Sequence, residues 1–392
     1  MRIALLAPLP PEQTGIADYA AHFQAALQAE GVEVLTPLRG CGMDKVRLDE
    51  CIKAFDWAQV DLVHGELGGG RLGEFYALLQ LRDKHPALPL SATVHDPERL
   101  VWRRGALPWP LSLLEKLPRP FPQLAALLAD PLTLREERRL AQSMTRLVTL
   151  TESGGRALVR RMGLDVAQHA VIAHGNLSIT HQPLPPLQPI RLLYFGFIYR
   201  GKGIEDLLDA LAQTLLRQPQ LRGAIRLTLA GGTVPDMAFG PAGNYLDELR
   251  RRARELHLDD CLDWQLDLPA SEIADTIQAH HVMVLPYRES KKLGLLGEMR
   301  GTSGALSWAN ACGRGAITSN ARAFSEEVAS GNGATYQQGD TAALSVCIEQ
   351  LALNPQLAEQ WAARASVIGQ ARSWPVTARR FQQLFASACG GT

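Results

Sequence analysis

Short apolar runs alternate with amphipathic helical patterns along the whole chain. Apolar runs bounded by turn residues are typical of buried parallel strands, and apolar residues at i, i+3, i+4 and i+7 are typical of helices. The alternation predicts βαβ units. The predicted strands of the first half are Arg2–Leu6, Val32–Leu35, Leu62–His64, Leu90–Val94, Leu147–Leu150 and Ala170–Ala173. Those of the second half are Arg191–Ile198, Ile225–Leu229, Leu262–Gln265, Val282–Leu285 and Ala316–Thr318.

A proline-rich stretch over residues 179–189 separates the two halves. We therefore expect two doubly wound α/β domains, the first over residues 1–180 and the second over 190–372. Right-handed crossovers would make both sheets present the carboxyl ends of their strands to a cleft between the domains.

Residues 102–134 depart from the alternation. The stretch is rich in leucine and prolines interrupt it, and basic residues flank or interleave it: Arg99, Arg103, Arg104, Lys116 and Arg119. An apolar and basic insertion of this kind predicts docking on a bilayer surface or binding of a lipid-linked acceptor. The alternative is a pair of short helices packed on the first sheet.

Composition narrows the classes of protein and of partner. A chain of 392 residues exceeds one ordinary core, and its 40 acidic and 40 basic residues cancel, so no bulk charge favours nucleic acid. The amino-terminal apolar run is too short for a signal peptide, and no run is long enough to span a membrane. The cysteines lack zinc spacing, which predicts reduced thiols in a cytosol for Cys41, Cys51, Cys261, Cys312, Cys347 and Cys389. We expect a cytoplasmic protein, at most bound at the inner face of the cytoplasmic membrane.

The stretch from Arg191 to Leu211 carries the clearest chemistry. It predicts a strand, a glycine turn with two cations, Arg200 and Lys202, and then a helix. A helix amino terminus beside Arg and Lys suits a diphosphate, whereas the alternative is a solvated loop. Ser303, Gly304 and Ala305 begin another predicted helix, whose N–H groups would form a second phosphate cradle.

No metal site is predicted. The chain contains no D-x-D pair, and its histidines lack metal-ligand spacing, so we expect neither a metal ion nor another cofactor. A dinucleotide enzyme is the rival class, because residues 68–73 satisfy G-x-G-x-x-G and Asp96 ends the next strand. That fingerprint belongs after the first strand, however, and here it follows the third.

The motifs together resemble retaining glycosyltransferases of the GT-B fold, family 4. The resemblance covers nearly the whole chain and begins with Arg191–Leu211. Five further stretches support it, namely Pro10–Tyr19 after the first strand, His95-Asp96, Val171–Asn176, Ser303–Ser319 and Ser373–Phe381. It implies two Rossmann-like domains facing a cleft, with residues 373–392 as a helix that returns to the first domain. It further implies a hexosyltransferase that moves a sugar, with retention, from a nucleoside diphosphate sugar to a hydroxyl of a glycan or lipid-linked glycan in a bacterial surface pathway.

The resemblance also assigns roles to residues. His95 would contact the transferred sugar and Asp96 would orient it, while Arg200 and Lys202 would stabilise the leaving diphosphate. The remaining diphosphate contacts would be Gly15, Gly196, Ser303, Gly304 and Ala305. The acceptor would meet Asp18, Tyr19, His64 and Glu66.

One departure from the family pattern bears on activity. Two glutamates eight positions apart usually contact the donor sugar and its ribose, but Arg300 and Trp308 stand at those positions. Glu298 or Glu289 would then replace the sugar contact. A competing hypothesis is a non-catalytic member that binds sugar nucleotides or serves as a scaffold.

Overall fold

The computed structural model describes residues 1–12, 14–41, 45–102, 107–118, 120–232, 239–240, 243–289 and 294–390. Arg103, Arg104 and Arg119 lie outside these ranges, as do the side chains of residues 115, 116, 239, 240 and 243. The chain folds into two compact units. The first comprises residues 1–175, 291–302 and 374–392, and the second comprises residues 176–290 and 303–373.

A six-stranded parallel sheet forms the centre of the first unit, in the order β2-β1-β3-β4-β5-β6. Its strands are β1 (Arg2–Leu6), β2 (Glu33–Leu35), β3 (Leu62–Leu67), β4 (Leu90–Val94), β5 (Arg146–Thr149) and β6 (His169–Val171). Its helices are α1 (Gly15–Ala29), α2 (Lys45–Ala54), α3 (Gly73–Lys84), α4 (Phe121–Ser143), α5 (Glu152–Met162) and, at the end of the chain, α13 (Trp374–Cys389).

The second unit repeats the plan, with six parallel strands in the order β11-β8-β7-β12-β13-β14. These strands are β7 (Ile190–Phe195), β8 (Ile225–Gly231), β11 (Leu262–Leu266), β12 (Val282–Leu285), β13 (Gly315–Ser319) and β14 (Gly333–Tyr336), and β9 (Phe239–Gly240) pairs with β10 (Gly243–Asn244). The helices are α6 (Ile204–Arg217), α7 (Tyr245–Glu255), α8 (Ile273–Gln278), α9 (Gly304–Ala311), α10 (Phe324–Val328), α11 (Thr341–Leu353) and α12 (Gln356–Ala371).

The predicted strands of both sheets are confirmed, with shifts of a few residues at their ends. Sequence missed β14, whose residues Gly333–Tyr336 range from exposed to buried and form no continuous apolar run. It also ended β3 too early, at His64 instead of Leu67. This extension places Glu66 inside the sheet.

The alternative of a pair of short helices in the insertion does not hold for α4, which is 23 residues long and continues through Pro131. Pro122 is tolerated because it lies in the first turn, where backbone N–H groups have no partner within the helix. A short 3₁₀ helix, Leu111–Lys116, precedes α4.

The last helix packs within the first unit. Phe381 and Phe385 of α13 are fully buried, and the ring of Phe381 lies 4.6 Å from that of Phe23 on α1. The rings of Phe381 and Phe385 also contact the imidazole of His64. Helix α13 therefore packs against β3 at His64.

Residues 294–302 group with the first unit, although they follow β12 in sequence and were predicted to lie in the second domain. Charged side chains hold this segment. Glu98 accepts hydrogen bonds from the backbone of Glu298 at 3.0 Å and from Arg300 at 3.2 Å, and Arg161 donates to the carbonyl of Leu296 at 3.0 Å. Glu98 itself has a φ of 116°, which non-glycine residues rarely adopt.

The expectation that all six cysteines are reduced is wrong, because Cys41 and Cys51 form a disulfide. The other four cysteines are free thiols. Within the described residues, no helix is long and apolar enough to cross a membrane.

Candidate functional site

The turn after β7 is fixed by glycine. Gly203 has a φ of 67°, and a Cβ atom there would lie 1.8 Å from the carbonyl oxygen of Pro286, the residue after β12. Gly201 has a φ of 96°, and its carbonyl accepts a hydrogen bond from the backbone of Arg288 at 3.0 Å. These contacts bring the cation-bearing turn against the end of the neighbouring strand.

Lys202 and Ser303 both contact the same tyrosine, Tyr287. Its Nζ atom is 3.7 Å from the ring centroid of Tyr287, and the Tyr287 hydroxyl is 3.2 Å from Ser303 Oγ. Burial acts to raise the pKa of Tyr287, but the charge of Lys202 and the hydrogen bond with Ser303 outweigh it and lower that pKa. Two residues predicted to bind diphosphate thus converge on a buried tyrosine that the sequence interpretation missed.

The amino terminus of α9 is open. Ser303 is the N-cap residue, yet its side chain makes no capping hydrogen bond, because its hydroxyl faces Tyr287. No atom lies within 4 Å of the position of a Cβ on Gly304, so a ligand can approach the backbone there. Backbone N–H groups at such a terminus attract anions.

Arg200 is already paired. Its two terminal nitrogens bind both carboxylate oxygens of Glu248 at 2.6 Å, and its guanidinium lies 5.1 Å from the ring centroid of Tyr245. Hydrogen bonding with Arg200 is the main cause that lowers the pKa of Glu248. The two cations of the turn therefore differ, because Arg200 must leave a carboxylate before it can bind another anion.

Trp308 and Glu289 remain within the second unit. The Trp308 ring packs half-buried with its centroid 6.4 Å from that of Phe195, and the Glu289 carboxylate lies 3.2 Å from Arg322. Trp308 therefore has a packing role on α9. Glu289 follows β12, on the same edge as Tyr287.

At the corresponding edge of the first unit, His95 follows β4 and binds Glu66. Its Nε2 atom lies 2.8 Å from Oε2 of Glu66, and the other oxygen of Glu66 lies 3.3 Å from Nε2 of His64. Glu66 and His64 are fully buried, whereas the His95 side chain is 10% exposed. Burial acts to raise the pKa of Glu66, but the two imidazoles outweigh it and lower that pKa.

The predicted role of Asp96 is wrong. Its carboxylate does not hold His95 but accepts a hydrogen bond from the backbone N–H of Gly69 at 3.0 Å. The indole of Trp102 donates to the Asp96 carbonyl at 2.8 Å. Asp96 thus shapes the glycine-rich loop after β3, and Glu66 takes the place beside the histidine.

Three of the predicted acceptor contacts need correction. His64, Glu66 and Tyr19 are at most 2% exposed, so they lie beneath the surface that an acceptor could reach. The Tyr19 ring meets His95 edge-on with centroids 4.7 Å apart, and burial raises the pKa of Tyr19 well above its usual value. Asp18 and Gly15 are exposed at the start of α1.

Arg300 and Glu298 lie on the segment that belongs to the first unit. Arg300 pairs with Glu98 at 3.2 Å and with Glu298 at 3.0 Å. The next residue, Gly301, packs so closely that a Cβ atom would lie 2.3 Å from the carbonyl oxygen of His95. The segment therefore lies beside His95 at the carboxyl edge of the first sheet, here termed the His95 edge.

The glycine-rich loop at residues 68–73 serves this same edge. A Cβ on Gly68 would lie 2.5 Å from the side chain of Ile16 and 3.0 Å from Cβ of His95. The glycine is thus required for packing around the histidine. In the described part of the chain, no group of three His, Cys, Asp or Glu side chains is arranged to hold a metal ion.

The chain resembles known proteins in sequence and in fold. Residues 179–367 match the profile of the family described as Glycosyl transferases group 1. This part of the chain is therefore similar to group 1 glycosyltransferase domains. The matched region includes the turn and the start of α9, from Gly196 to Ala305.

The chain is 27% identical over 263 residues to a D-inositol 3-phosphate glycosyltransferase of Frankia alni. The alignment covers 64% of this chain and only 60% of that relative.

Two solved structures resemble the whole chain. Anabaena Alr3699/HepE in complex with UDP has a TM-score of 0.68 and 16% identity, covering 99% of this chain and 100% of its own. Sucrose-phosphate synthase (tll1590) from Thermosynechococcus elongatus has a TM-score of 0.70 and 18% identity, with 100% of both chains covered. The chain therefore has the GT-B fold that the resemblance implied.

Proposed function

We propose that the protein is a glycosyltransferase that moves a sugar from a nucleoside diphosphate sugar to a hydroxyl of a glycan or lipid-linked glycan. The observation that carries the proposal is the convergence of Lys202 and the open terminus of α9 on Tyr287. A fixed cation beside free N–H groups stabilises a leaving diphosphate, where charge develops as the sugar–phosphate bond breaks.

The reaction proceeds with retention in this proposal. The bond between the anomeric carbon and the phosphate oxygen breaks, and the acceptor oxygen bonds to that carbon on the same face. The acceptor proton passes to the departing phosphate oxygen, so no protein base is required. Charge on the diphosphate is balanced by Lys202, by Arg200 and by helix N–H groups, without a metal ion.

Calorimetric titration with UDP, GDP and TDP tests the donor site. UDP is the first candidate, because a protein of the same fold is known in complex with it. We expect micromolar binding of one diphosphate and slow hydrolysis of the matching nucleotide sugar. Binding without any hydrolysis or transfer would favour the non-catalytic alternative, and no binding would contradict the proposal.

A second part of the proposal concerns the membrane. Helix α4 exposes an apolar stripe, here termed the α4 face, formed by Phe121, Leu124, Leu128 and Leu132, and Trp109, Leu113 and Leu117 before it are also exposed. Arg135 and Arg139 continue the same stripe of α4, three and seven residues beyond Leu132, and both are exposed. An apolar face that ends in cations fits an anionic bilayer surface, at which a lipid-linked acceptor would be found.

Sedimentation with vesicles tests this contact. We expect the protein to pellet with phosphatidylglycerol vesicles and much less with phosphatidylcholine vesicles. The double variant Leu124→Glu with Leu128→Glu should stay in the supernatant. Leu216→Glu is the matched control, because Leu216 is 82% exposed on α6 of the second unit. Equal pelleting of the double variant and the parent would exclude the α4 face.

A further inference from the structure

A buried carboxylate, that of Glu66, contacts His95 and has no role in the reaction proposed above. Glu66 lies at the end of β3 with no exposed surface, and its two carboxylate oxygens face two different imidazoles. An ionised carboxylate so placed needs an N–H donor, and the ring within hydrogen-bond geometry of it is that of His95. The Glu66 carboxylate therefore determines which nitrogen of the His95 ring carries a hydrogen.

The consequence for His95 follows from the donor and acceptor rules. A carboxylate accepts hydrogen bonds, so Nε2 of His95, 2.8 Å from Oε2, carries the hydrogen. In the neutral ring, Nδ1 is then an acceptor. Among the described residues, the side-chain hydrogen bond of His95 is the one at Nε2, which leaves Nδ1 for a ligand.

The ring itself has little freedom to turn. The rings of Tyr19 and His95 pack edge to face, at an interplanar angle of 86°. Gly68 packs so closely against His95 that a Cβ atom at residue 68 would lie 3.0 Å from Cβ of His95. The imidazole of His64 is itself fixed in place. Its Nδ1 lies 2.8 Å from the Ser91 hydroxyl, and its Nε2 lies 3.0 Å from the Thr93 hydroxyl. Glu66 thus lies between the two imidazoles, and Oε2 makes its hydrogen bond with His95.

We propose that Glu66 is the positioning residue of the His95 edge, keeping His95 in the Nε2–H tautomer so that Nδ1 accepts a hydrogen bond from a substrate hydroxyl. The proposal rests on the proposed transfer reaction for its effect on turnover, but its effect on the imidazole does not depend on that reaction. A buried carboxylate that fixes a histidine tautomer is a known way to orient a reacting group.

The experiment reads the tautomer directly. Long-range proton–nitrogen spectra of protein labelled with ¹⁵N-histidine distinguish Nε2–H from Nδ1–H rings, and His95→Gln identifies the His95 signals. The parent should show the Nε2–H form at neutral pH. A parent His95 in the Nδ1–H form would overturn the proposal without the need for any variant.

Glu66→Gln then tests the cause. The amide offers one oxygen to two imidazoles, so we expect a larger share of the Nδ1–H form and a kcat lower by roughly 10- to 100-fold. Affinity for UDP should stay unchanged. Glu74→Gln is the control, because Glu74 is a carboxylate of α3 that is only 4% exposed and pairs with Arg71, not with a histidine.

A double variant separates positioning from a general structural role. If Glu66 acts through His95, Glu66→Gln combined with His95→Gln should lower kcat no further than His95→Gln alone. Additive losses, or an unchanged tautomer in folded Glu66→Gln, would overturn the inference. Failure of the proposed function looks different, because the tautomer would respond to Glu66→Gln while no nucleoside diphosphate bound.

Discussion

The carboxyl edges of the two sheets share a plan of strands but differ in how their polar groups are held. At the first edge, Glu66 and His64 are buried and His95 is nearly so, with each contact fixed by packing. At the second edge, the cations stand on a glycine turn, and Arg200 is exposed and paired with Glu248. The first edge is suited to orient one group, whereas the second is suited to exchange one anion for another.

This difference has a physical origin in desolvation. A buried carboxylate must keep its hydrogen-bond donors, since losing one leaves a charge without compensation. An exposed Arg–carboxylate pair contributes little net stability, so a diphosphate can displace the carboxylate at small cost. Substitutions at the first edge should therefore affect turnover strongly, and those at the second edge should affect binding in proportion to the charge removed.

The largest effect is expected from His95→Ala. Loss of one positioned transition-state contact costs on the order of a hundredfold in kcat, and affinity for the nucleoside diphosphate should hardly change, because its cations belong to the second unit. Steady-state kinetics and calorimetry on the same preparations measure both quantities. Equal turnover in the parent and the variant would reduce His95 to a residue that ends a strand.

Lys202→Ala and Arg200→Ala come next. Each removes a charge-assisted contact worth roughly 1.5–3 kcal/mol, so affinity for the diphosphate should fall by up to about a hundredfold. Lys202→Ala should have the larger effect, since Arg200 must first leave Glu248. If both variants bound UDP as tightly as the parent did, the turn would not be the diphosphate site.

Sequence predicted the second edge better than the first because the turn after β7 is local. A strand, two glycines, two cations and a helix are contiguous, and their chemistry can be read without a fold. The partners are not local. Glu248 lies 48 residues beyond Arg200, and its hydrogen bonds to the guanidinium depend on tertiary packing.

At the first edge, a usable signal was present but needed the strand order. β3 pairs with β4 so that Glu66 is opposite Thr93, and residues two apart share a face, which brings His95 beside Glu66. Asp96 looked like the partner because it is adjacent in sequence, yet adjacent residues of an extended chain point to opposite sides. The disulfide between Cys41 and Cys51 was missed because their spacing fits no motif.

Glu248→Gln sharpens the comparison at the second edge. The amide competes less well for Arg200, so UDP should bind a few-fold more tightly, in line with the small worth of an exposed ion pair. Asp209→Asn is the matched control. Asp209 lies on α6 and pairs with Arg252, which is on α7 like Glu248, and this pair does not include a residue of the turn. Weaker binding in Glu248→Gln alone would mean that Glu248 positions Arg200 and does not compete with the ligand.

The smallest effect is expected from a chelator. If Lys202, Arg200 and the N–H groups of α9 balance the diphosphate, then EDTA should leave both UDP affinity and turnover unchanged within error. The measurement needs protein prepared without added divalent ions and a parallel titration with Mg²⁺. Activity that disappeared with EDTA and returned with Mg²⁺ would show that the second edge recruits its charge from solution. In that case its exposed cations, unlike the buried network around His95, would not suffice on their own.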